Sequence, residues 1–249
     1  MAYTGSSITR HYRVRFSQID AARVIYYPRY LEIIADTFPE ATMDEAPFDV
    51  AIQFLQSNRL GDQIQMHLQS GPGGWSVSGR METEHFSFAL SRRPEDQRAQ
   101  PYDSELASFE TEAFMLRDWM CGPTGCLHLS RYYELISDAI ERWFESSLGM
   151  PFDELHGARN LGIPTVQMDT RCNSLPQRGE RVTMGLRPLS VGTSAVQLTT
   201  WLAGAGNILF ETRQVLVFVE LDDKKIRTVR IPEALRERIR SQLAASAPT

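Results

Sequence analysis

No run of eighteen apolar residues occurs anywhere in this sequence, so no segment has the length at which an apolar helix spans a bilayer. The first fifteen residues, MAYTGSSITRHYRVR, also lack the apolar stretch of a secretory signal. Cysteine is scarce. Cys121, Cys126 and Cys172 are odd in number and lack paired metal-ligand spacing, which favours buried free thiols over a disulfide or a zinc site. No histidine pair shows H-x-x-x-H spacing, so His11, His67, His85, His128 and His156 read as surface or satisfied structural residues. Positive charge is not in excess either: 26 Lys and Arg face 31 Asp and Glu, and the net charge is −5. The cations are scattered, which leaves no basic face for nucleic acid. These absences lead to the expectation of a soluble cytoplasmic protein with no nucleic-acid or membrane role.

What the chain does contain is a repeat. DAARVIYYPRYLEIIAD, from Asp20 to Asp36, and GPTGCLHLSRYYELISD, from Gly122 to Asp138, align at an offset of 102 residues. They share Arg29/Arg131, Tyr30/Tyr132, Glu32/Glu134, Ile34/Ile136 and Asp36/Asp138, but the acid that opens the first copy is Gly122 in the second. Further on, Gly61-Asp62-Gln63-Ile64 and Gly179-Glu180-Arg181-Val182 correspond at an offset of 118, so an insertion separates the matched regions. Long-period self-similarity marks duplicated structural units. With 249 residues, 42% of them hydrophobic, the chain has material for one large domain or two ordinary ones.

Each unit begins with a strand-like segment, HYRVRF in the first, and then a helix. Pro28 suits a first helical position, where the missing N–H costs nothing. Tyr30, Ile33, Ile34, Thr37 and Phe38 fall on one face, and Pro39 marks the end. In the second unit Ser130 is the expected N-cap, and Ile136, Ile140, Trp143 and Phe144 continue a longer stripe. TSAVQLTTWLA and ILFETRQVLVFVEL, joined at Gly204 to Asn207, read as a hairpin. Leu235, Ile239 and Leu243 mark a short terminal helix after Pro232. SELASFETEAFMLRDWM reads as a strand that either closes the first unit or opens the second. One long helix followed by antiparallel strands, repeated, is an α+β arrangement in which curved sheet wraps helix.

VRFSQIDAARVIYYPRYLEI, from Val14 to Ile33, resembles the active-site segment of the 4-hydroxybenzoyl-CoA thioesterase family, F-x-D-x-D-P-A-G-x-V-x-Y-P-x-Y. The stretch from Phe109 to Leu243 resembles a whole family member in the order of its elements. The resemblance implies a double hotdog: two curved antiparallel sheets, each wrapping a central helix, paired as an intrachain pseudo-dimer of residues 1–105 and 106–249. The pattern is not complete. Gln18 stands for the first Asp, Ala21 for Pro and Arg23 for Gly, while the second copy has Gly122 at the acid position and keeps Pro123 and Gly125.

The activity implied is that of an acyl-CoA thioesterase. Asp20 matches the family's catalytic carboxylate, acting as nucleophile or general base, and the backbone N–H of Tyr27 matches its carbonyl-polarising donor. Tyr26 stands where an aromatic substrate wall or a core residue is expected. Arg23 could narrow the pocket, pair with Asp20 or reach coenzyme phosphates. Family geometry would bring Ile163, Pro164 and Thr165 across the interface to the substrate. The implied chemistry uses an acyl-CoA substrate, no metal and no organic cofactor, and pseudo-dimers of this kind can assemble further into homo-oligomers. Because both copies depart from the pattern, a non-catalytic acyl-thioester-binding or scaffold hotdog stands as the alternative. A dehydratase is disfavoured, since no histidine is recognisable beside the loop acid.

Overall fold

Residues 6–20, 22–41, 45–94, 100–221 and 226–245 are described in the computed structural model. Ala21 and part of the loop RRPEDQRAQP lie outside the described residues. The first half runs β1 (Ser6–Arg13), α1 (Arg29–Thr37), β2 (Phe48–Phe54), β3 (Gln63–Gly71), β4 (Gly74–Arg80) and β5 (Glu84–Arg92). The second runs β6 (Phe109–Glu110), β7 (Phe114–Met115), α2 (Leu129–Ser146), β8 (Leu161–Gly162), β9 (Thr165–Cys172), β10 (Arg181–Val191), β11 (Ala195–Gly204) and β12 (Asn207–Val217). The short strands β13 (Val219–Glu220) and β14 (Arg227–Thr228) and the helix α3 (Glu233–Ala245) close the chain.

The strands of the main sheet follow the order β1-β3-β4-β5-β2-β9-β12-β11-β10, with β6 and β7 both pairing β10. The order is palindromic. Strand β2 of one half pairs antiparallel with β9 of the other, Val50 opposite Thr170 and Ile52 opposite Met168, and each half then repeats the same sequence of neighbours outward. Alternation explains why this seam is stable: Phe48, Val50 and Ile52 are buried on one face of β2, and Met168, Thr170 and Cys172 on one face of β9. The segment SELASFETEAFMLRDWM contributes only the short β6 and β7, both paired with β10, so it belongs to the second half's side of the sheet.

Each helix lies with its apolar stripe on its own half-sheet. Tyr30, Ile33, Ile34, Thr37 and Phe38 of the first stripe are all buried, as are Ile136, Ile140, Trp143 and Phe144 of the second. A fully buried side chain of this size contributes about 1.5–3 kcal/mol by leaving water, which outweighs the weak intrinsic preference of so aromatic a helix. The polar faces meet each other. Arg29 Nη1 pairs with Glu32 at 2.7 Å and Arg131 Nη1 with Glu134 at 2.7 Å, while Arg29 Nη2 reaches Glu134 at 3.3 Å and Arg131 Nη2 reaches Glu32 at 3.7 Å. Four residues shared by the two repeats thus form one charge cluster between the two helices.

Two local expectations are corrected. The N-cap of α2 is His128, whose side chain accepts the N–H of Ser130, so Ser130 lies one step inside the helix. Imidazole supplies here the lone pair that the serine hydroxyl was expected to supply. All three cysteines are free, but only Cys172 is buried; Cys121 and Cys126 are half-buried because they sit in the surface loop leading to α2. The hairpin of β11 and β12 forms as expected, turning at Ala205 and Gly206, both at positive φ. In the terminal helix Leu235 and Ile239 are buried against the sheet. No described helix is long and apolar enough to cross a membrane.

Candidate active site

Ahead of each helix the chain makes the same tight loop. Asp20 N–H donates to Val24 O at 2.9 Å and Gly122 N–H to Cys126 O at 2.9 Å; Tyr26 N–H donates to Gln18 O and His128 N–H to Met120 O, both at 3.0 Å. The loop is also anchored identically to the following turn, with Ile25 N–H on Asn58 O at 2.9 Å and Leu127 N–H on Pro176 O at 2.8 Å. Duplication therefore extends to individual backbone hydrogen bonds, and the difference between the copies lies in the side chains.

Asp20 projects from this loop with its side chain exposed, and its Oδ1 accepts the Val24 N–H at 3.3 Å. Crowding by surrounding protein raises its pKa above the usual carboxylate value, against the opposing pull of the Val24 and Ala22 N–H groups and of His156. A carboxylate that is reachable from solvent yet partly desolvated is suited to taking a proton from bound water. Arg23 is exposed and, among the described residues, makes no ion pair with Asp20. Its backbone lies at φ 61°, which turns the chain back so that Arg23 N–H meets Asp20 O at 3.0 Å.

At the entrance to α1 nearly every N–H has an acceptor. Arg29 N–H donates to Tyr26 O at 2.8 Å, and Tyr30 and Leu31 N–H donate to Tyr27 and Pro28 O at 3.3 Å. Pro28 has no N–H. Among the described residues no acceptor meets the Tyr27 N–H, which leaves that donor at the positive end of the helix dipole. The Tyr27 side chain turns the other way. Its hydroxyl donates to Tyr133 O at 2.9 Å and accepts from Ser137 Oγ at 2.8 Å, tying the loop of one half to α2 of the other. Tyr26 packs edge-on to Tyr27, ring centroids 5.6 Å apart, and burial raises its phenol pKa, with the negative charges of Glu134 and Glu141 on α2 adding to the rise.

His156 departs from its expected role as a surface or satisfied residue. It lies on a π-helical turn, Glu154–Ala158, after α2, stacked on Phe152 with ring centroids 5.3 Å apart. Its Nε2 is enclosed and has no hydrogen-bond partner among the described residues, and its positive charge acts on Asp20 from the opposite half of the chain. The two residues are 136 positions apart, and no local pattern links them. By contrast His85 is satisfied by Asn58 at 2.8 Å, and His67 by Thr9 at 2.9 Å.

Ile163 packs on the core, Pro164 is exposed and Thr165 is buried at the start of β9. Among the described residues, no hydrogen bond or ion pair joins them to Asp20 or Tyr27. A cleft of about 790 Å³ runs between β1 and α1 beside the acid loop, with Arg10, Arg15, Gln18 and Arg29 on its walls. Asp20 lies next to this opening rather than within it. Among the described residues, no group of three or more His, Cys, Asp or Glu side chains is placed to hold a metal ion.

Comparison with known proteins gives the arrangement a context. The family profile of the acyl-ACP thioesterase C-terminal domain matches residues 2–107. No curated protein matches. Among solved structures, a 12:0-ACP thioesterase from Umbellularia californica is similar with a TM-score of 0.62 at 9% identity, over 85% of this chain and 94% of its own. A protein described as an oleoyl thioesterase, from Lactobacillus plantarum, is similar with a TM-score of 0.60 at 11% identity, over 86% of this chain and 96% of its own. A Staphylococcus aureus protein solved in complex with CoA covers 61% of this chain and 90% of its own, at 15% identity and a TM-score of 0.51. The fold is that of the hotdog thioesterases, a mostly antiparallel sheet with few helices. The family matched by profile is the acyl-ACP thioesterase domain, not the 4-hydroxybenzoyl-CoA family of the sequence resemblance.

Proposed function

We propose that this protein is a thioester hydrolase acting on an acyl- or aryl-CoA, built as a double hotdog of residues 1–105 and 106–249 with one reaction centre at Asp20. The single observation that carries the reading is the pairing of Asp20 with the Tyr27 N–H, a solvent-reachable carboxylate of raised pKa in the same tight loop as a helix-entrance donor that meets no acceptor among the described residues. Thioester hydrolysis needs both groups. Negative charge develops on the carbonyl oxygen as the carbon is attacked, and a preorganised N–H at a helix N-terminus stabilises it there.

In the general-base form, Asp20 takes a proton from water as the water oxygen bonds to the carbonyl carbon and the C=O electron pair moves onto oxygen beside the Tyr27 N–H. The pair then returns, the C–S bond breaks, and the leaving thiolate takes the proton from Asp20. In the nucleophilic form the carboxylate itself bonds to the carbon, the C–S bond breaks as the thiolate leaves, and water then cleaves the mixed anhydride, releasing the acid, restoring the Asp20 carboxylate and giving one proton to the thiolate. His156 supports either form by opposing the burial that would keep Asp20 protonated. Tyr26 and Arg23 flank the loop as substrate contacts. The connection that carries His156 continues into Ile163, Pro164 and Thr165, which complete the wall from the second half.

The test is release of free thiol from short, medium, long and aryl acyl-CoAs by the full-length protein and by Asp20→Asn. Hydrolysis that Asp20→Asn abolishes is the expected result. Turnover indifferent to that substitution removes Asp20 from the mechanism, and acyl-CoA binding with no thiol release from any substrate supports the binding-protein alternative instead.

A further inference from the structure

Each half of the sheet has one face against its helix and one turned outward, and the strand registers match the outward positions of the two halves. Gln53 pairs with Ser87 on β5 as Arg171 pairs with Glu211 on β12, and Ala51 pairs with Ala89 as Asp169 pairs with Arg213. The second half thus places two opposite-charge cross-strand pairs at four positions where the first half has two alanines, a serine and a glutamine. One strand further out, Ser78 on β4 pairs with Ser87 as Trp201 on β11 pairs with Glu211.

The two faces are also covered differently. The segment entering the second half crosses that half's own outer face: Tyr102 lies against Trp201, ring centroids 6.5 Å apart, and Trp201 is only 4% exposed. A Cβ on Gly185 would come within 2.4 Å of the Tyr102 hydroxyl, so glycine makes room for the crossing. On the first half, one outward row runs Thr9, His67, Ser78, Ser87, Gln53 across β1, β3, β4, β5 and β2, and the next runs Ser7, Gln69, Ser76, Ala89, Ala51. None of these residues is buried. Neither row holds a carboxylate, a lysine or an arginine. His67 is the one titratable member, and its ring nitrogens meet Thr9 Oγ1 at 2.9 Å and Ser7 Oγ at 3.3 Å. Charge returns at the borders, with Arg80 at one end of the strands and Asp49 at the other.

An uncharged field rimmed by charge is the arrangement of an interface core, and its small side chains let a second sheet approach to about 10 Å. A second copy is the occupant that the chemistry fits. Hydroxyl and amide groups both donate and accept, so the field is complementary to itself about a twofold axis. The net charge of −5 sets copies against one another through their charged surfaces, and this field brings no like charges together. Size agrees as well. Five strands about 4.8 Å apart, with seven residues in β2 and in β4 at about 3.3 Å each, span roughly 550 Å². Two copies face to face therefore cover roughly 1,100 Å², which reaches the size of a specific interface.

We infer that the outer face of the first half-sheet, centred on Ser78 and Ser87, is a docking surface for the same face of a second copy of this chain. The counterpart positions in the second half are charged or lie under Tyr102, which confines the contact to one face per chain. The Asp20 loop leads into α1, which covers the opposite face, so the pair leaves that loop open. This inference does not depend on the hydrolase reading.

Sedimentation of the full-length protein over a concentration series tests it, with Ser78→Arg and Ser87→Arg on the proposed surface and Gln197→Arg on the second half's outer face. The control adds the same charge outside the surface. Melting profiles check the fold of each, and two surface variants are used so that one that melts early does not decide the outcome. The expected result is a concentration-dependent dimer that either surface variant weakens at least about tenfold, because each arginine is brought against the same surface of its own copy, and that Gln197→Arg leaves unchanged. A monomer at every concentration overturns the inference and leaves the face to a partner of another kind. A dimer that neither surface variant weakens, or that Gln197→Arg weakens equally, also overturns it, by placing the contact elsewhere.

Discussion

Arg23, at φ 61°, occupies the loop position that Gly125 fills at φ 81° in the second half, and each donates its N–H to the carbonyl three residues earlier, Asp20 at 3.0 Å and Gly122 at 2.9 Å. The turn geometry is conserved between the halves while one of them carries a side chain in the left-handed region. That conformation costs a non-glycine residue about 1–2 kcal/mol, offset in part by glycine's larger loss of backbone freedom on folding. Arg23→Gly is therefore expected to stabilise the fold by up to about 1 kcal/mol. Nothing lies within 4 Å of a Cβ on Gly125, so Gly125→Ala tests conformation alone and is expected to destabilise by about 1 kcal/mol. Urea denaturation measures both, and a destabilised Arg23→Gly would show that the arginine side chain makes a favourable contact.

Asp20→Asn is expected to lower kcat by about 10²- to 10⁴-fold, the range for loss of a general base, with little change in KM. Its stability should respond oppositely. Burial raises the folded pKa of Asp20 above the reference value of 3.8, so the wild-type fold has its full stability below that pH and loses some as pH rises through the folded pKa. The Asn variant does not titrate. Melting temperatures measured across this range should favour the variant increasingly toward neutral pH and converge on the wild type, apart from a constant offset, below pH 3.8.

Removing the imidazole in His156→Gln removes a positive charge that lowers the Asp20 pKa. The acid limb of the kcat/KM profile should therefore move to higher pH, with the plateau at alkaline pH changed less. A purely structural His156 would lower activity or stability without shifting that limb.

Tyr27→Phe separates the side chain from the backbone of the same residue. The hydroxyl bonded to Tyr133 O and Ser137 Oγ is lost, which should cost about 1 kcal/mol of stability. The N–H assigned to the carbonyl oxygen remains, so kcat should stay close to the wild-type value. A large fall in kcat with stability intact would move the catalytic role to the phenol.

The cross-helix pair Arg29–Glu134, at 3.3 Å and about a quarter exposed on each side, should show a coupling of about 0.2–1 kcal/mol in a double-mutant cycle with Arg29→Met and Glu134→Gln. The coupling should shrink at high salt. A value of zero would leave the apolar faces, the β2–β9 seam and the Tyr27 hydroxyl bonds to Tyr133 and Ser137 to hold the halves together.

Much of the architecture was readable one segment at a time. Helical spacing located the buried faces of α1 and α2, alternation and the Gly204–Asn207 turn located the β11–β12 hairpin, and the offset of 102 residues paired Asp20 with Gly122. These are local signals, set by side-chain period and turn preference, and they survive wherever the segment is placed. Where SELASFETEAFMLRDWM belonged was not readable, because short strands at the edge of a sheet are defined by their partner, here β10, more than by their own pattern. Nor was the N-cap of α2, where a histidine took the position expected of serine.

The sequence by itself determined that the chain is a duplicated α+β unit and that one copy of its loop carries an acid while the other does not. Tertiary structure alone decided what surrounds each loop. Pairing of β2 with β9 brings the two halves into one sheet and carries Ser137 and His156 to the Asp20 side, and the end of α1 to the Gly122 side. Such contacts join residues about a hundred or more positions apart, and they arise from which sheet edges meet and bury their apolar faces, a choice that no single segment encodes.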